Sequence, residues 1–370
     1  MADTPSALHR YLDELARDAE TGDRLPSIRD LMRRFGVSQA IVTRAFDALR
    51  ERGAISSEVG RGTFFQASEA RVERQAVALP ANRSVLLLHR TVSLQRSRAL
   101  IQGLQRRFTD AGHRVLEVSY TDSEHAHEVL RGLPSFDACL IQSMFETITI
   151  RMLATLRDKA SVLAVDGAVL AGLDVDAVGI EWGEPLAAAT DLLQRRGHQR
   201  IAYATTAHPF LANQLGLKRW AQLRNAQPQL DLQTLAVPKL SYEDYEAALV
   251  DLIKTRQDAA GQLPFSALVC WGIEDGNRFR DLLSGRGIEI PTDLSVVLLG
   301  RTDLINEHAG FFETFGCSVA DQVDLLYQAI HRRWERPTRP YLLELLPLMH
   351  RVGSSVAKPQ DRSIAVAGAT

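Results

Sequence analysis

Residues 25–53, LPSIRDLMRRFGVSQAIVTRAFDALRERG, read as two helices joined by a short turn. Ser27 is placed to cap a helix starting at Ile28, where a side-chain oxygen can accept an early backbone N–H. Ile28, Leu31, Met32 and Phe35 then share one helical face. Gly36 ends the helix, because glycine adopts the left-handed conformation that a helix end wants. Ser38 caps the second helix. Val42, Ala45, Phe46 and Leu49 form its buried face, and Gly53 stops it. Two helices with a four-residue, glycine-containing turn form the helix-turn-helix pattern.

The other face of the second helix opens with Gln39, Ala40, Thr43 and Arg44. In a recognition helix these residues reach base edges in the major groove. Gln39 suits adenine, Ala40 and the Thr43 methyl suit thymine, and Arg44 suits guanine or a phosphate. Spacing alone equally fits a plain helical hairpin with a solvated polar face. The following AISSEVGRGTFFQ, residues 54–66, alternates apolar and polar around Gly60, Arg61 and Gly62. The glycines allow positive φ in a tight hairpin turn, which presents Arg61 at its tip with Thr63 just beyond. Helix-turn-helix plus hairpin describes a winged helix. Between Arg24 and Phe65 there are eight arginines and four acidic residues, a net +4 that fits phosphate neutralisation.

These segments resemble the DNA-binding domain of the GntR family of bacterial transcription regulators. GDRLPSIRDL, FGVSQAIVTRAFDALRERGAI and GRGTFF carry the resemblance, over roughly residues 7–66. It implies DNA contacts from Ser27, Arg29, Ser38, the start of the second helix and the Gly60–Thr63 turn. The chain departs from the family at Gln39 and Thr43, where arginines are frequent, so the base sequence read cannot be copied from relatives.

The whole chain has 370 residues, a net charge of −2 and 24% charged residues. That suits two or three folded units and excludes a generally basic coat. Residues 67–83 read as a linker. From 84 to 355, strand-like runs alternate with helical ones: 84–90, 113–119, 136–143 and 161–167, then 200–206, 232–238, 265–271 and 294–300. This alternation predicts an α/β unit of two doubly wound halves. The tail, 356–370, is small, polar and expected to be flexible.

Ligands of such sheets bind beyond strand C-terminal ends. The rule nominates His89, Arg90, Gln142, Ser143, Asp166, Thr205, Thr206, Trp271, Arg301 and Asp303. Each also has a structural alternative: Asp166 as a turn cap, Trp271 as core. RRGHQRIAYATT (195–206), IPTDLSVVLLG (290–300) and LPLMHRVGSS (346–355) resemble the effector domain of the LacI/GalR family, which is similar to periplasmic sugar-binding proteins. The combination is similar to GntR-type regulators with a LacI-like sensor, as in arabinose repressors. It implies a homodimer on a palindromic operator, repression, and a small-molecule effector that is a sugar or sugar derivative.

Asp166 matches that family's ligand-contacting acid, and Trp220 its aromatic position. The sugar-gripping arginine is Gly216 here, an Asn-Asp pair is Trp271-Gly272, and a further segment is Gly300-Arg301-Thr302-Asp303. A sugar hydroxyl needs a matched polar partner, since an unpaired buried group costs ~1–3 kcal/mol. Arg90 and Arg301 can instead hold a carboxylate or phosphate. A domain that has lost its ligand and only dimerises is the alternative.

No phosphate loop, HExxH, zinc-spaced Cys/His set or GxSxG elbow appears, so no cofactor, metal or enzymatic activity is expected. The remaining alternative is a cytoplasmic solute-binding protein or enzyme. The three cysteines form no framework. No apolar run reaches the length of a membrane span, and the N-terminus has no secretory pattern. A cytoplasmic location follows as the expectation.

Overall fold

The computed structural model describes residues 8, 11, 12, 15, 23–51, 54–58, 62–65, 82–167, 174–180 and 182–360. The chain divides into two compact units, Met1–Pro80 and Ala81–Thr370.

In the first unit, α1 is Ile28–Phe35 and α2 is Gln39–Glu51. The Ser27 side chain accepts the Asp30 N–H, and Gly36 closes α1 in the left-handed conformation at φ 63°. Ser27 Oγ also donates to the Asp30 carboxylate at 2.6 Å, a reciprocal cap. Leu31, Val42, Ala45, Phe46 and Leu49 are buried together with Leu8, Leu12, Leu25, Ile55 and Phe65. Strands β1 (Ile55–Glu58) and β2 (Gly62–Phe65) pair antiparallel. The segment before α1 joins them: Leu25 N donates to the Thr63 carbonyl and Phe65 N to the Asp23 carbonyl, both at 2.8 Å.

The second unit holds two sheets. The first lobe contains β3 (Ser84–Arg90), β4 (Arg114–Tyr120), β5 (Phe136–Gln142), β6 (Ala160–Asp166), β7 (Asp176–Gly179) and β13 (Leu343–Leu345), in the order β13-β7-β6-β5-β3-β4. The second contains β8 (Arg200–Thr206), β9 (Asp231–Val237), β10 (Ala267–Trp271), β11 (Ser295–Arg301), β12 (Glu313–Cys317) and β14 (Met349–Arg351), in the order β14-β12-β11-β10-β8-β9. All pairs are parallel except β12 with β14. In each sheet the strand order reverses beside the first strand of the series. That puts a switch-point crevice beyond β3 and β5 and another beyond β8 and β10.

Connecting helices are α3 (Gln95–Asp110), α4 (Ser123–Gly132), α5 (Ile150–Lys159), α6 (Gly183–Arg195), α7 (Leu211–Ala226), α8 (Tyr245–Lys254) and α9 (Gly276–Ser284). A short α10 (Ile305–His308) and a long α11 (Val319–Glu335) follow. The chain crosses between lobes after β7, after β12 and after β13. Helix α11 leaves β12 in the second sheet but packs on the first lobe, where Arg333 forms a buried bidentate pair with Asp176 at 2.9 and 3.0 Å. At Gly103 of α3 a Cβ would meet Val323 of α11 at 2.6 Å, so glycine permits that close approach.

The packed chain extends past Ser355. Ala357 N donates to Ser295 Oγ at 3.0 Å, and the Ala357 carbonyl lies 2.9 Å from His198 Nε2. The histidine of the RGHQRIA segment therefore ties down residues placed in the flexible tail by the sequence reading. Cys139, Cys270 and Cys317 are buried free thiols. No helix among the described residues is long and apolar enough to cross a membrane.

Candidate nucleic-acid interface and interlobe cleft

The start of α2 lies on the solvent side of the first unit. Its apolar positions face Leu31 and Phe65, so Gln39, Ala40, Thr43 and Arg44 are left exposed. Arg29, in the first turn of α1, is exposed too. A groove runs between these elements, lined by Arg24, Ser27, Arg29, Gln39 and Thr63. The β2 hydrogen bonds to residues 23–25 hold Thr63 beside the entry to α1. The hairpin and the Arg29 turn therefore share one framework. Arg29, Gln39, Thr43 and Arg44 make no side-chain hydrogen bond or ion pair with any described residue. Other arginines are committed: Arg34 donates to Tyr11 Oη at 2.6 Å and stacks over its ring.

Ser27 spends its hydroxyl on the α1 cap, accepting the Asp30 N–H and donating to the Asp30 carboxylate. Ser38 is exposed ahead of α2. Gly62 begins β2. Gly60 and Arg61 lie outside the described residues.

The nominated residues of the second unit divide three ways. Trp220 is a core residue: it is 1% exposed, its Nε1 donates to the Gln233 carbonyl, and its ring packs on Tyr203. The helix that carries it buries this face, which the sequence match to an aromatic ligand position did not register. His89 turns to the neighbouring strand, with Nε2 3.0 Å from Glu117. Thr205 and Thr206 fix the turn into α7 through Asn213. Asp303 caps α11, accepting the Val319 and Ala320 N–H groups and the Ser318 hydroxyl.

Asp166, Gln142 and Arg301 do meet at the cleft. Asp166 accepts from Gln142 at 3.0 Å and from Gln322 of α11. Burial raises its carboxyl above the usual range, while the two amides and Arg301 act in the opposite sense. The Arg301 side chain donates to Cys317 Sγ, and its Nε is buried without a partner, as is Gln322 Oε1.

The sequence reading missed a buried ionic link between the lobes. Arg96 of α3 donates to Glu274 at 2.6 Å and lies 3.4 Å from Glu307. Glu307 also accepts the Arg301 N–H at 2.7 Å. Burial pushes its carboxyl up to about 7, Arg96 pulls it down, and Glu274 adds to the rise. A Cβ at Gly300 would stand 2.5 Å from the Glu307 carboxylate, so glycine leaves room for this placement of Glu307. Glu274 follows β10 by three residues, so the strand-end rule had the means to find it. Glu307 sits on a four-residue helix with no sequence signal.

Trp271 closes the cleft from the second lobe, among Phe210, Trp182 and Tyr245. Phe145, from the connection after β5 in the first lobe, enters the same group, with ring centroids 6.0 Å from Trp271 and 5.1 Å from Phe210. Arg90 holds that connection. It donates to the Met144 carbonyl at 3.0 Å and pairs with Glu146 at 3.1 Å. Ser143 lies at its start and is half-buried. Among the described residues, no group of three or more His, Cys, Asp or Glu side chains could hold a metal ion.

Residues 13–65 match the family model of bacterial regulatory proteins, gntR family. The fold of the larger unit is similar to solved regulators. A LacI family transcriptional regulator from Enterococcus faecium with bound ribose aligns at TM-score 0.61 and 14% identity, over 75% of this chain and 99% of that one. The LacI family regulator CCPA from Weissella paramesenteroides with bound glucose aligns at TM-score 0.58 and 17% identity, over 75% and 99%. A PurR family regulator from Vibrio parahaemolyticus aligns at TM-score 0.58 and 15% identity, over 74% and 99%.

Proposed function

We propose that this chain, which joins a GntR-type DNA-binding domain to a two-lobed domain of LacI-type fold, is a sequence-specific transcription repressor that binds duplex DNA as a homodimer and releases it in response to a small molecule. The observation that carries the reading is the face made by Arg29, Gln39, Ala40, Thr43 and Arg44. It is exposed, polar and positive, and its side chains have no described partner. Backbone contacts position a protein on a duplex and base-edge contacts specify the sequence. Arg29 and Arg44 supply the first and Gln39 and Thr43 the second, with Gly60, Arg61 and Thr63 of the hairpin reaching the backbone alongside.

The effector would bind between the lobes, near Asp166, Arg90, Trp271 and Arg301. It shifts DNA affinity only if it binds two lobe arrangements unequally. The regulator kinship of both domains favours this role over an enzyme or a solute-binding protein. A domain that only dimerises differs by having no ligand at all. Selection from random duplex DNA tests the proposal. It should enrich a palindrome with half-sites about one or more helical turns apart. Recovery of unselected sequence would oppose it.

A further inference from the structure

Resting on the reading of the second unit as an effector sensor, we propose that the effector is a small aromatic carboxylate, and that Met144-Phe145-Glu146 occupies its place in the free protein. Three observations converge on that segment. Phe145 belongs to the first lobe but packs against the core of the second, inside rings from Trp271, Phe210 and Tyr242. The Glu146 carboxylate pairs with Arg90, whose side chain is only 14% exposed and ends the strand next to β5. Met144 and Phe145 stand at φ 36° and 64°, two successive non-glycine residues in the left-handed region.

Such a backbone is strained and persists only where its surroundings enforce it. Here the enforcing contacts are a ring in an aromatic box and an acid on a half-buried arginine. A molecule carrying both groups would satisfy the same partners without the strained turn. The crevice beyond β3 and β5 is also where a parallel sheet of this order receives ligands.

The box is poorly suited to an unmodified sugar. The side chains that would grip hydroxyls are replaced by Gly216, Trp271 and Gly272. A Cβ at Gly216 would come within 3.1 Å of the Tyr203 hydroxyl, and one at Gly272 within 3.3 Å of the Tyr245 ring. Gly272 thus leaves room for the Tyr245 ring that packs on Trp271, while Gly216 lies against the core Tyr203. Aromatic rings favour edge-to-face neighbours at such centroid distances, and Phe145 meets Trp271 at 84°. Arg90 supplies the charge that a carboxylate needs in a half-buried site. Displacing Phe145 would withdraw the contact it makes with the second lobe, so ligand binding is coupled to lobe arrangement.

The test uses the full chain, with phenylacetate and 3-phenylpropionate as probes and with phenylacetamide, ribose and glucose as comparators. Tryptophan fluorescence and thermal shift report binding. Phenylacetate should raise the melting temperature and change the tryptophan emission, a change that Trp271→Phe should diminish. Its neutral amide should bind about tenfold more weakly, since a charge-assisted hydrogen bond is lost. Phe145→Ala removes the internal competitor and should tighten phenylacetate binding, because a competent state then exists before ligand arrives.

Absence of any response to the aromatic acids, in wild type and in Phe145→Ala alike, overturns the proposal. Equal binding of acid and amide overturns the carboxylate assignment. Stabilisation by ribose or glucose without phenylacetate overturns the aromatic class while leaving a sensor in place. DNA binding by the same preparation, measured in parallel, separates these failures from failure of the regulator reading.

Discussion

The two units use their polar side chains in opposite ways. In the first, Arg29, Gln39, Thr43 and Arg44 stand in water without a described partner. In the second, most polar groups between the lobes are already engaged: Arg90 by Met144 and Glu146, Asp166 by Gln142 and Gln322, and Arg96 of α3 by Glu274, with Arg301 Nε left over. The reason is solvation. An exposed arginine or amide is satisfied by water until a duplex replaces it, so a DNA face can wait at little cost. A group withdrawn into a cleft loses that water and must find protein partners. On the proposed reading, a site for a large exterior partner is visible as free side chains, whereas an interior site is filled by the protein's own groups.

Substitutions sharpen this contrast, because changes in the second unit should cost stability and those in the first should cost recognition. The largest effect is expected at Asp176→Ala, which leaves the buried Arg333 guanidinium without its counter-charge and held only by the Pro337, Arg339 and Pro340 carbonyls. Removing one partner of a buried pair typically costs ~3–5 kcal/mol, readable by urea denaturation. A loss below ~1 kcal/mol would mean that water reaches Arg333.

Gln39→Ala should leave the fold intact and relax base preference, by ~1–3 kcal/mol of discrimination if the amide is bidentate on a base. A repeated selection that returns the same motif would remove Gln39 from the base-reading set. Ser27→Ala sits between the two behaviours: loss of the helix cap should lower stability by about 1 kcal/mol and weaken DNA binding through displacement of Arg29. A variant with unchanged melting would show that Asp30 alone sustains the turn.

The smallest effect is a pH dependence. The Glu307 carboxyl titrates higher in the folded protein than in the unfolded chain, because burial disfavours its charged form. Its stabilising contribution is full below the ordinary glutamate value and is lost as pH rises through about 7. The melting temperature of wild type minus that of Glu307→Gln should therefore fall between pH 5 and pH 8. A difference that is flat or rising would place the charge of Glu307 under firmer control by Arg96.

Much of the fold was legible because it rests on local patterns. Ser27 and Gly36 bound α1 as their capping chemistry requires, and the apolar spacing in α2 separates core from exposed face. The eight strand-like runs of the large unit all appear, displaced by at most a residue or two at each end. What the pattern did not reveal is long-range. Strands β7, β13 and β14 have three or four residues, too short to set a period, and are defined by their neighbours in the sheet. The direction of α11, returning from β12 to the first lobe, depends on Asp176 and Gly103, both more than 150 residues away in sequence. The cleft followed the same rule. Strand-end position nominates Asp166 and Arg301, and also Trp271, whose ring is packed in the second-lobe core, but nothing local reveals that Arg96 bridges to Glu274 or that Phe145 fills an aromatic box. Trp220 shows the opposite error, a residue matched by position whose ring is core.

The most direct test of the regulator account is the salt dependence of binding to the selected duplex, for wild type and Arg29→Ala. Counterion release makes log affinity fall against log salt by about 0.9 for each phosphate neutralised. The account predicts a steep fall for wild type, with weaker binding and a slope shallower by about 1 for Arg29→Ala. Binding that ignores salt, or an Arg29→Ala slope identical to wild type at equal affinity, would contradict it.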